Sequence, residues 1–353
     1  MATRSARERR SVTMKDVARA AGVSQRTVSN VVNDYVHVSP PTRERVRAAI
    51  ETLGYRPNAV ARSLRDGIAR VIALAVPDLT WPYFSEIAHL VQSEARERGY
   101  TVVTLETQGD EGVERFVLSV LGNSMIDGIV LSSLGLGGEE LNAMNLGIPI
   151  VLLGERIHDA GRPHFSIDNV LAAEEMTRHL LQLGARSFLV LGAADTQITR
   201  SSGVLRLQGF RCELGRWGLD DSAWTSCAAS PWTEEQAWGG IVRLNPDQLP
   251  DAVFAMNDLL AIGALRAFAD RGISVPERIL VSGWDDIGAS RMTIPRLTTV
   301  SPDKASIAHQ AVTTLIDLIE EESPSVRDIV IGHRLIVRGS TDAEFGVVGE
   351  SNL

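Results

Sequence analysis

Lysine is almost missing from this chain: of 35 basic side chains, only Lys15 and Lys304 carry an ammonium group. No Gly-Lys-Ser/Thr triplet exists, which excludes a phosphate loop of the nucleoside-triphosphatase kind. Cysteine is as scarce. Cys212 and Cys227 are the only two, too few for a disulfide framework and in no metal-binding spacing, so both are read as inert and reduced, and no metal or cofactor is expected. The seven histidines form no His-Glu-x-x-His pair and no Gly-x-Ser-x-Gly elbow occurs, so two common hydrolase signatures are absent. Gly135-Leu136-Gly137-Gly138 follows a strand-like run and resembles a nucleotide loop. It lacks the full fingerprint and is read as a turn. No apolar run approaches the roughly 20 residues of a membrane-spanning helix, and Met1 to Met14 is arginine-rich without the apolar core of a secretion signal. A soluble, cytoplasmic chain without a membrane partner is the expectation.

What is present is divided unevenly. The net charge of −9 conceals 14 basic against 6 acidic residues up to position 70, and 21 against 38 beyond it. One end is made for polyanions and the remainder is not. At 353 residues two or three folding units are expected.

Within the basic end, Thr13-Met14-Lys15-Asp16 starts a short helix, with the Thr13 hydroxyl and Asp16 forming a capping-box-like pair. Val17, Ala18 and Ala21 share one face. Gly22 suits a left-handed turn, and Ser24 caps a second helix over Gln25 to Asn33 in which Val28, Val31 and Val32 share a side. Gln25, Arg26, Ser29 and Asn30 lie opposite. A third helix opens at Ser39-Pro40, carries Val46, Ile50 and Leu53 at helical spacing, and stops at Gly54. Periodicity alone leaves a helix-turn-helix and a plain helical bundle both open.

The residues go further. Thr13-Met14-Lys15-Asp16-Val17-Ala18, Ala21-Gly22-Val23-Ser24, Thr27-Val28-Ser29 and Val31-Val32-Asn33 closely resemble the DNA-binding signature of the LacI/GalR family of bacterial repressors. Gly54-Tyr55-Arg56-Pro57-Asn58-Ala59-Val60-Ala61-Arg62-Ser63-Leu64-Arg65 extends the resemblance into the family's hinge. Asn58 can cap a helix of two turns, which is marginal alone in water. In the family, paired hinge helices lie in the operator's minor groove with a leucine from each wedged between central base pairs, and Leu64 stands at that position; the bland alternative is a core residue beside a linker. The resemblance implies a double-stranded, pseudo-palindromic operator bound by a homodimer. Its DNA contacts would come from Thr13, Ser24, Gln25, Arg26, Thr27, Ser29, Asn30, Asn33, Tyr55, Asn58, Ala61, Arg62, Leu64 and Arg65. Gln25, Arg26 and Asn30 are the expected base readers, Arg62 and Arg65 phosphate contacts.

From Arg70 onward, apolar runs such as Val71–Val76, Thr101–Leu105, Gly128–Leu131, Pro149–Leu153, Phe188–Leu191, Ala252–Met256 and Ile279–Ser282 alternate with helical stretches. Such runs describe parallel strands buried on both faces, in an open α/β sheet or a barrel. Pro77-Asp78-Leu79, Asp168-Asn169, Arg206-Leu207-Gln208-Gly209-Phe210, Asn257-Asp258, Gly283-Trp284-Asp285-Asp286 and Pro295-Arg296-Leu297-Thr298-Thr299-Val300 continue the family resemblance. It implies two open lobes like those of periplasmic sugar-binding proteins. The expected organisation is a basic tail (1–12), helix-turn-helix (13–57), hinge helix (58–66), effector and dimerisation domain (70–340) and a flexible tail (341–353). Lobe one takes about 70–169 and 300–328; lobe two takes about 170–299 and 329–340.

Carried over by position, a small-molecule effector would meet Tyr83, Phe84, Asp168, Arg200, Ser202, Arg206, Trp232, Asn257 and Asp285. Aromatic faces beside ionised hydrogen-bonding groups suit a sugar or sugar derivative. Tyr83, Phe84 and Trp232 also read as packing residues, Arg200 and Ser202 as a solvated loop, and Arg206 with Asp285 as a structural ion pair. Against the regulator stand a periplasmic-type solute-binding protein, which would not carry residues 13–65, a nucleobase-responsive regulator, and an enzyme of sugar or nucleotide metabolism.

Overall fold

The first helix is opened by two side chains. Thr13 Oγ1 accepts from the Asp16 N–H at 3.4 Å while Asp16 Oδ2 accepts from the Thr13 N–H at 3.0 Å, which satisfies donors left free by the first turn. The computed structural model describes residues 12–32, 35–55, 68–122, 125–157, 160–193, 201–229, 231–245, 249–320 and 328–342. These fall into two units divided after Ala69.

In the first unit, α1 (Met14–Ala21) ends at Gly22 with φ of 64°, a conformation that carries a steric penalty for any residue with a Cβ. Ser24 Oγ accepts from the Thr27 N–H at 3.0 Å and starts α2 (Gln25–Val32). Helix α3 (Pro40–Leu53) has proline in its first turn and stops at Gly54. Val17, Ala18, Ala21, Val28, Val31, Val46 and Ala49 form the shared core. Tyr55 joins them at 8% exposure, its N–H donating to the Ile50 carbonyl at 3.0 Å. Three short helices have little apolar surface, and the ring seals it.

The second unit carries two six-stranded sheets among its described residues. Strands β1 (Val71–Val76), β2 (Thr101–Glu106), β3 (Gly128–Ser132), β4 (Ile150–Leu153), β5 (His164–Ile167) and β11 (Asp328–Ile331) make the first, ordered β11-β5-β4-β3-β1-β2 and parallel throughout. Strands β6 (Phe188–Leu191), β7 (Trp224–Cys227), β8 (Ala252–Ala255), β9 (Leu280–Trp284), β10 (Thr298–Pro302) and β12 (His333–Ile336) make the second, ordered β12-β10-β9-β8-β6-β7 with only β12 antiparallel. Helices α4 (Pro82–Glu97), α5 (Glu111–Leu121), α6 (Gly138–Ala143) and α11 (Lys304–Ile319) pack with the first sheet. Helices α7 (Asn169–Gln182), α8 (Ser202–Arg216), α9 (Glu234–Ile241) and α10 (Asp258–Asp270) form the second lobe. The sheets are open, as two lobes require, and each repeats a doubly wound order whose switch point lies beside its first strand.

Two expected boundaries move. Strand β10 completes the second sheet and β11 the first, so the chain crosses between lobes at Asp303 and again at Gly332, a few residues beyond the approximate bounds of 300 and 328. The two crossings are tied, the Asp303 N–H donating to the Gly332 carbonyl at 3.0 Å. Nor does a loose tail begin at 341: Thr341 is buried and its hydroxyl lies 2.7 Å from that of Thr298 and 2.9 Å from His179 Nε2. Thr298 Oγ1 also donates to the Arg338 carbonyl at 2.9 Å and accepts from the Arg338 N–H at 2.8 Å, so both buried hydroxyls are satisfied.

The glycine-rich turn after β3 also finds its explanation. Glu114 of α5 is fully buried and accepts from Ser133 Oγ at 2.6 Å and from the N–H groups of Leu134, Gly135 and Leu136 at 2.8, 3.1 and 2.8 Å. Successive N–H groups cradle an anion here, but the anion is the protein's own carboxylate. A Cβ on Gly135 would stand 2.4 Å from the Glu111 nitrogen, so only glycine fits. Replacing Glu114 by Leu orphans three backbone donors at about 1–3 kcal/mol each. We expect Glu114→Leu to lose at least about 3 kcal/mol in denaturant unfolding; a loss below about 1 kcal/mol would show that water satisfies the turn.

Candidate effector cleft and DNA-reading helix

The carboxyl ends of both sheets' strands face one cavity of about 430 Å³. Every loop that reaches it leaves a strand at that end, where a doubly wound sheet leaves its crevice. After β1 come Trp81, Tyr83 and Phe84; after β3, Ser132 to Leu134; after β4, Gly154, Glu155 and Arg156. The second lobe supplies Ser201, Ser202, Arg206, Trp232, Asn257, Asp258, Asp285 and Ile287.

The aromatic wall is a packed cluster. Trp81 stacks on Phe84 with centroids 6.0 Å apart, and Tyr83 meets Phe84 edge-on at 5.2 Å. Burial, with the nearby charges of Glu155 and Asp285, pushes the Tyr83 phenol well above its ordinary range. It therefore stays a neutral donor.

Arg206 lies one helical turn after Ser202, which turns both side chains toward the cleft. Arg206 as a whole is 7% exposed. Nε donates to Asn169 Oδ1 at 2.8 Å, Nη1 donates to the Met256 carbonyl, and the group lies 4.2 Å from the centroid of the Trp284 ring. Asn169 Nδ2 in turn donates to Glu155 Oε1 at 2.7 Å, carrying the network into the first lobe. Burial holds Arg206 below the usual arginine range, opposed by Asp285 and Glu155.

Asp285 stands opposite in character. Its backbone takes φ of +107°, outside the range comfortable for an L-residue. Its N–H donates to the Val300 carbonyl at 2.8 Å and its carbonyl accepts from Lys304 Nζ at 2.7 Å, so the strained turn is held by its backbone. The carboxyl faces the cavity, makes no ion pair with Arg206, and is pushed by burial up to about 7, with Arg206 pulling the other way. Asp258 behind it is likewise raised by burial, to about 6, and accepts from Ile287 N–H, Ser290 Oγ and Thr299 Oγ1 at 2.9, 2.5 and 2.7 Å.

Of the expected effector residues, the cavity gathers Tyr83, Phe84, Ser202, Arg206, Trp232, Asn257 and Asp285. Asn257 divides its amide: Oδ1 caps α10 through the Leu260 N–H at 2.9 Å, leaving Nδ2 near the Trp232 carbonyl at 3.5 Å. Asp168 is corrected. It is exposed, absent from the cavity wall, and caps α7 through the Leu171 N–H at 2.8 Å, while its neighbour Asn169 carries the contact to Arg206. Arg200 lies outside the described residues. Glu155, Arg156, Ser132 and Trp81 were not anticipated, although each follows an apolar strand run at the end where ligands bind.

On the helix-turn-helix, Gln25 and Arg26 are exposed at the start of α2, with Thr27, Ser29 and Asn30 half-buried along it. The Thr13 and Ser24 hydroxyls serve as caps. Asn33, Asn58, Ala61, Arg62, Leu64 and Arg65 lie outside the described residues.

A helix-turn-helix and a two-lobed domain with a ligand-sized cleft at its strand ends define a class: DNA-binding regulators with a sensing domain of the periplasmic-binding kind. Comparison with known proteins agrees. Residues 13–58 match the model for bacterial regulatory proteins of the lacI family, and residues 177–341 the model for a periplasmic binding protein-like domain. The HTH-type transcriptional repressor PurR of Haemophilus influenzae (strain PittEE) is 32% identical over 337 residues, covering 93% of this chain and 98% of that protein. Among solved structures, the lac repressor dimer bound to operator and the anti-inducer ONPF superposes with a TM-score of 0.83 at 27% identity, over 94% of this chain and 99% of that one. The transcriptional regulator CelR–cellobiose complex gives 0.67 at 28% identity, over 93% and 99%. The chain belongs to the lacI family of bacterial transcription regulators and is not an enzyme. No described helix is long and apolar enough to cross a membrane.

The raised Asp285 carboxyl has a stability consequence. The folded chain holds this proton more tightly than the unfolded chain, whose carboxyl titrates near the ordinary 3.8, so stability falls as pH rises from about 4 to about 7. Asp285→Asn removes that dependence. Relative to wild type, the variant should gain stability between pH 4 and pH 8, read by tryptophan fluorescence during urea unfolding, since all six tryptophans lie beyond residue 70. A pH-independent difference would mean that the carboxyl is well solvated.

Proposed function

We propose that this regulator is a cytoplasmic, homodimeric repressor whose operator affinity is set by a sugar or sugar derivative held between the lobes. The observation that carries the effector class is the pairing, in one cavity, of the buried Arg206 fork with the Glu155 and Asp285 carboxyls between aromatic faces. Vicinal hydroxyls donate to carboxylates and accept from a guanidinium, and their ring carbons pack on aromatic faces. The cellobiose named with CelR supports the same class. A nucleobase is the second reading, favoured by the Trp81, Tyr83 and Phe84 cluster, which would stack a flat ring.

In this reading Gln25, Arg26 and Asn30 face base edges in the major groove while the 58–66 hinges of a dimer pair in the minor groove, with Leu64 as wedge and Arg62 and Arg65 on phosphate. A two-fold dimer fits a pseudo-palindromic operator because each half-site then meets the same surface.

Three measurements test it. Titration calorimetry with a panel of mono- and disaccharides against hypoxanthine and guanine separates the effector classes, and binding by neither class would remove the cleft assignment. With the bound compound, Asp285→Ala should lose about 2 kcal/mol, roughly 30-fold in affinity, while remaining folded. Wild-type affinity in that variant would clear Asp285 of any role. For the DNA side, Arg26→Ala should cost about 1–3 kcal/mol and relax one operator position in a binding-site selection; an unchanged base preference would reassign Arg26 to the backbone.

A further inference from the structure

The second unit contains one lysine, Lys304, and it does not face solvent: its side chain is 12% exposed. It stands at the first turn of α11, in the first lobe. Its Nζ donates to three acceptors: Glu86 Oε2 on α4 of the same lobe, the Asp285 carbonyl at 2.7 Å and the Asp286 carbonyl at 3.1 Å in the second lobe. Glu86 reaches across as well, its Oε1 accepting from the Gly288 N–H at 3.0 Å. One lysine–glutamate pair on the first lobe thus grips both ends of the turn at 285–288 on the second.

That turn is the one that presents Asp285 to the cavity. It is strained, with φ of +107° at Asp285 and +47° at Asp286. Within its own lobe it is anchored from behind, Asp286 being bonded by Arg338 at 2.6 Å and Arg291 at 3.1 Å, and the Ile287 N–H by Asp258. The Asp285 carboxyl is the part left facing the cleft. A compact ammonium suits three acceptors spread around a point, where a planar guanidinium would not. In a chain whose other basic residues are arginine save Lys15, the lysine here matches that geometry.

We infer that Glu86 and Lys304 form an inter-lobe clasp on the Asp285 turn, the link by which a compound bound at Asp285 biases lobe closure. The inference rests on the effector reading above. A ligand shifts the lobes only as far as its interactions differ between arrangements, and the clasp makes the position of Asp285 differ between them. Lys304 and Glu86 are positioning residues: neither needs to touch the effector or DNA.

The test uses full-length dimer carrying Lys304→Met, Lys304→Arg, Glu86→Gln, or Lys304→Met with Glu86→Gln. Operator affinity is measured with and without cellobiose and hypoxanthine, and amide exchange is followed over residues 285–290. Each single variant should keep effector-free operator affinity within about threefold, yet shrink the compound-induced change in operator affinity by about tenfold. The double variant should shrink it no further than either single, since both break one link. Lys304→Arg should restore only part of the response. Exchange at 285–290 should rise in the variants while strand amides stay protected. A full compound-induced response in Lys304→Met, or unchanged exchange at the turn, overturns the clasp. If neither compound moves the wild-type protein while exchange responds as expected, the clasp stands and the effector class falls.

Discussion

The guanidinium of Arg206, a residue only 7% exposed, governs the arrangement of the cleft. Removing Arg206 from water costs on the order of several kcal/mol unless its donors are met, and no carboxylate pairs with it directly. It is met by the Asn169 amide, a carbonyl at the end of β8 and the Trp284 ring, each from a different element of the second lobe. Those elements must converge for the charge to be tolerated. Because Asn169 also donates to Glu155, the first lobe is drawn into the same network at the loop after β4. The cleft is in this sense organised around one charge before any ligand is considered.

That arrangement makes the cleft suited to sensing as well as to binding. Two bridges join the lobes across it: Glu155–Asn169–Arg206 on one side, and Glu86–Lys304 with the turn at 285–288 on the other. Beneath them the crossings at Asp303 and Gly332 are tied by a backbone bond, which leaves the strand connections themselves as the natural pivot. A ligand that contacts Arg206 and Asp285 together would touch both bridges. Two fixed links and a short pivot favour discrete arrangements over continuous bending, which is what a two-state response to an effector requires.

Much of this was legible from residues because local chemistry decided it. Thr13, Asp16, Gly22, Ser24 and Gly54 act within one turn of themselves, so their caps and stops follow from identity and spacing alone. Strands β1, β3, β4, β6, β8 and β9 were legible for a similar reason, burial on both faces leaving mostly apolar residues, whereas the equally central β5 and β10 were not, because they bury His164, Ser166, Thr298 and Thr299. Strand β7, Trp-Thr-Ser-Cys, was not, because an edge strand faces water and loses that signature. The local roles of Tyr55 and Asp168 were hidden for a third reason. Each sits where the family motif places a functional residue, yet a small core claimed the ring and a helix N-terminus claimed the carboxylate.

The residues that escaped sequence reading altogether are those whose meaning depends on distance along the chain. Glu86 and Lys304 are separated by more than two hundred positions, and neither belongs to a motif; only the crossing of α11 back to the first lobe brings them together. Glu114 is similar, an ordinary acidic residue on an amphipathic helix until the turn after β3 folds over it. In both cases a side chain meets backbone carbonyl or amide groups of a strained or tight turn, and backbone groups carry no sequence signature. The specificity of such contacts lies in topology: moving α11 to the other lobe would leave every local preference satisfied and still remove the link between the Asp285 turn and the first lobe.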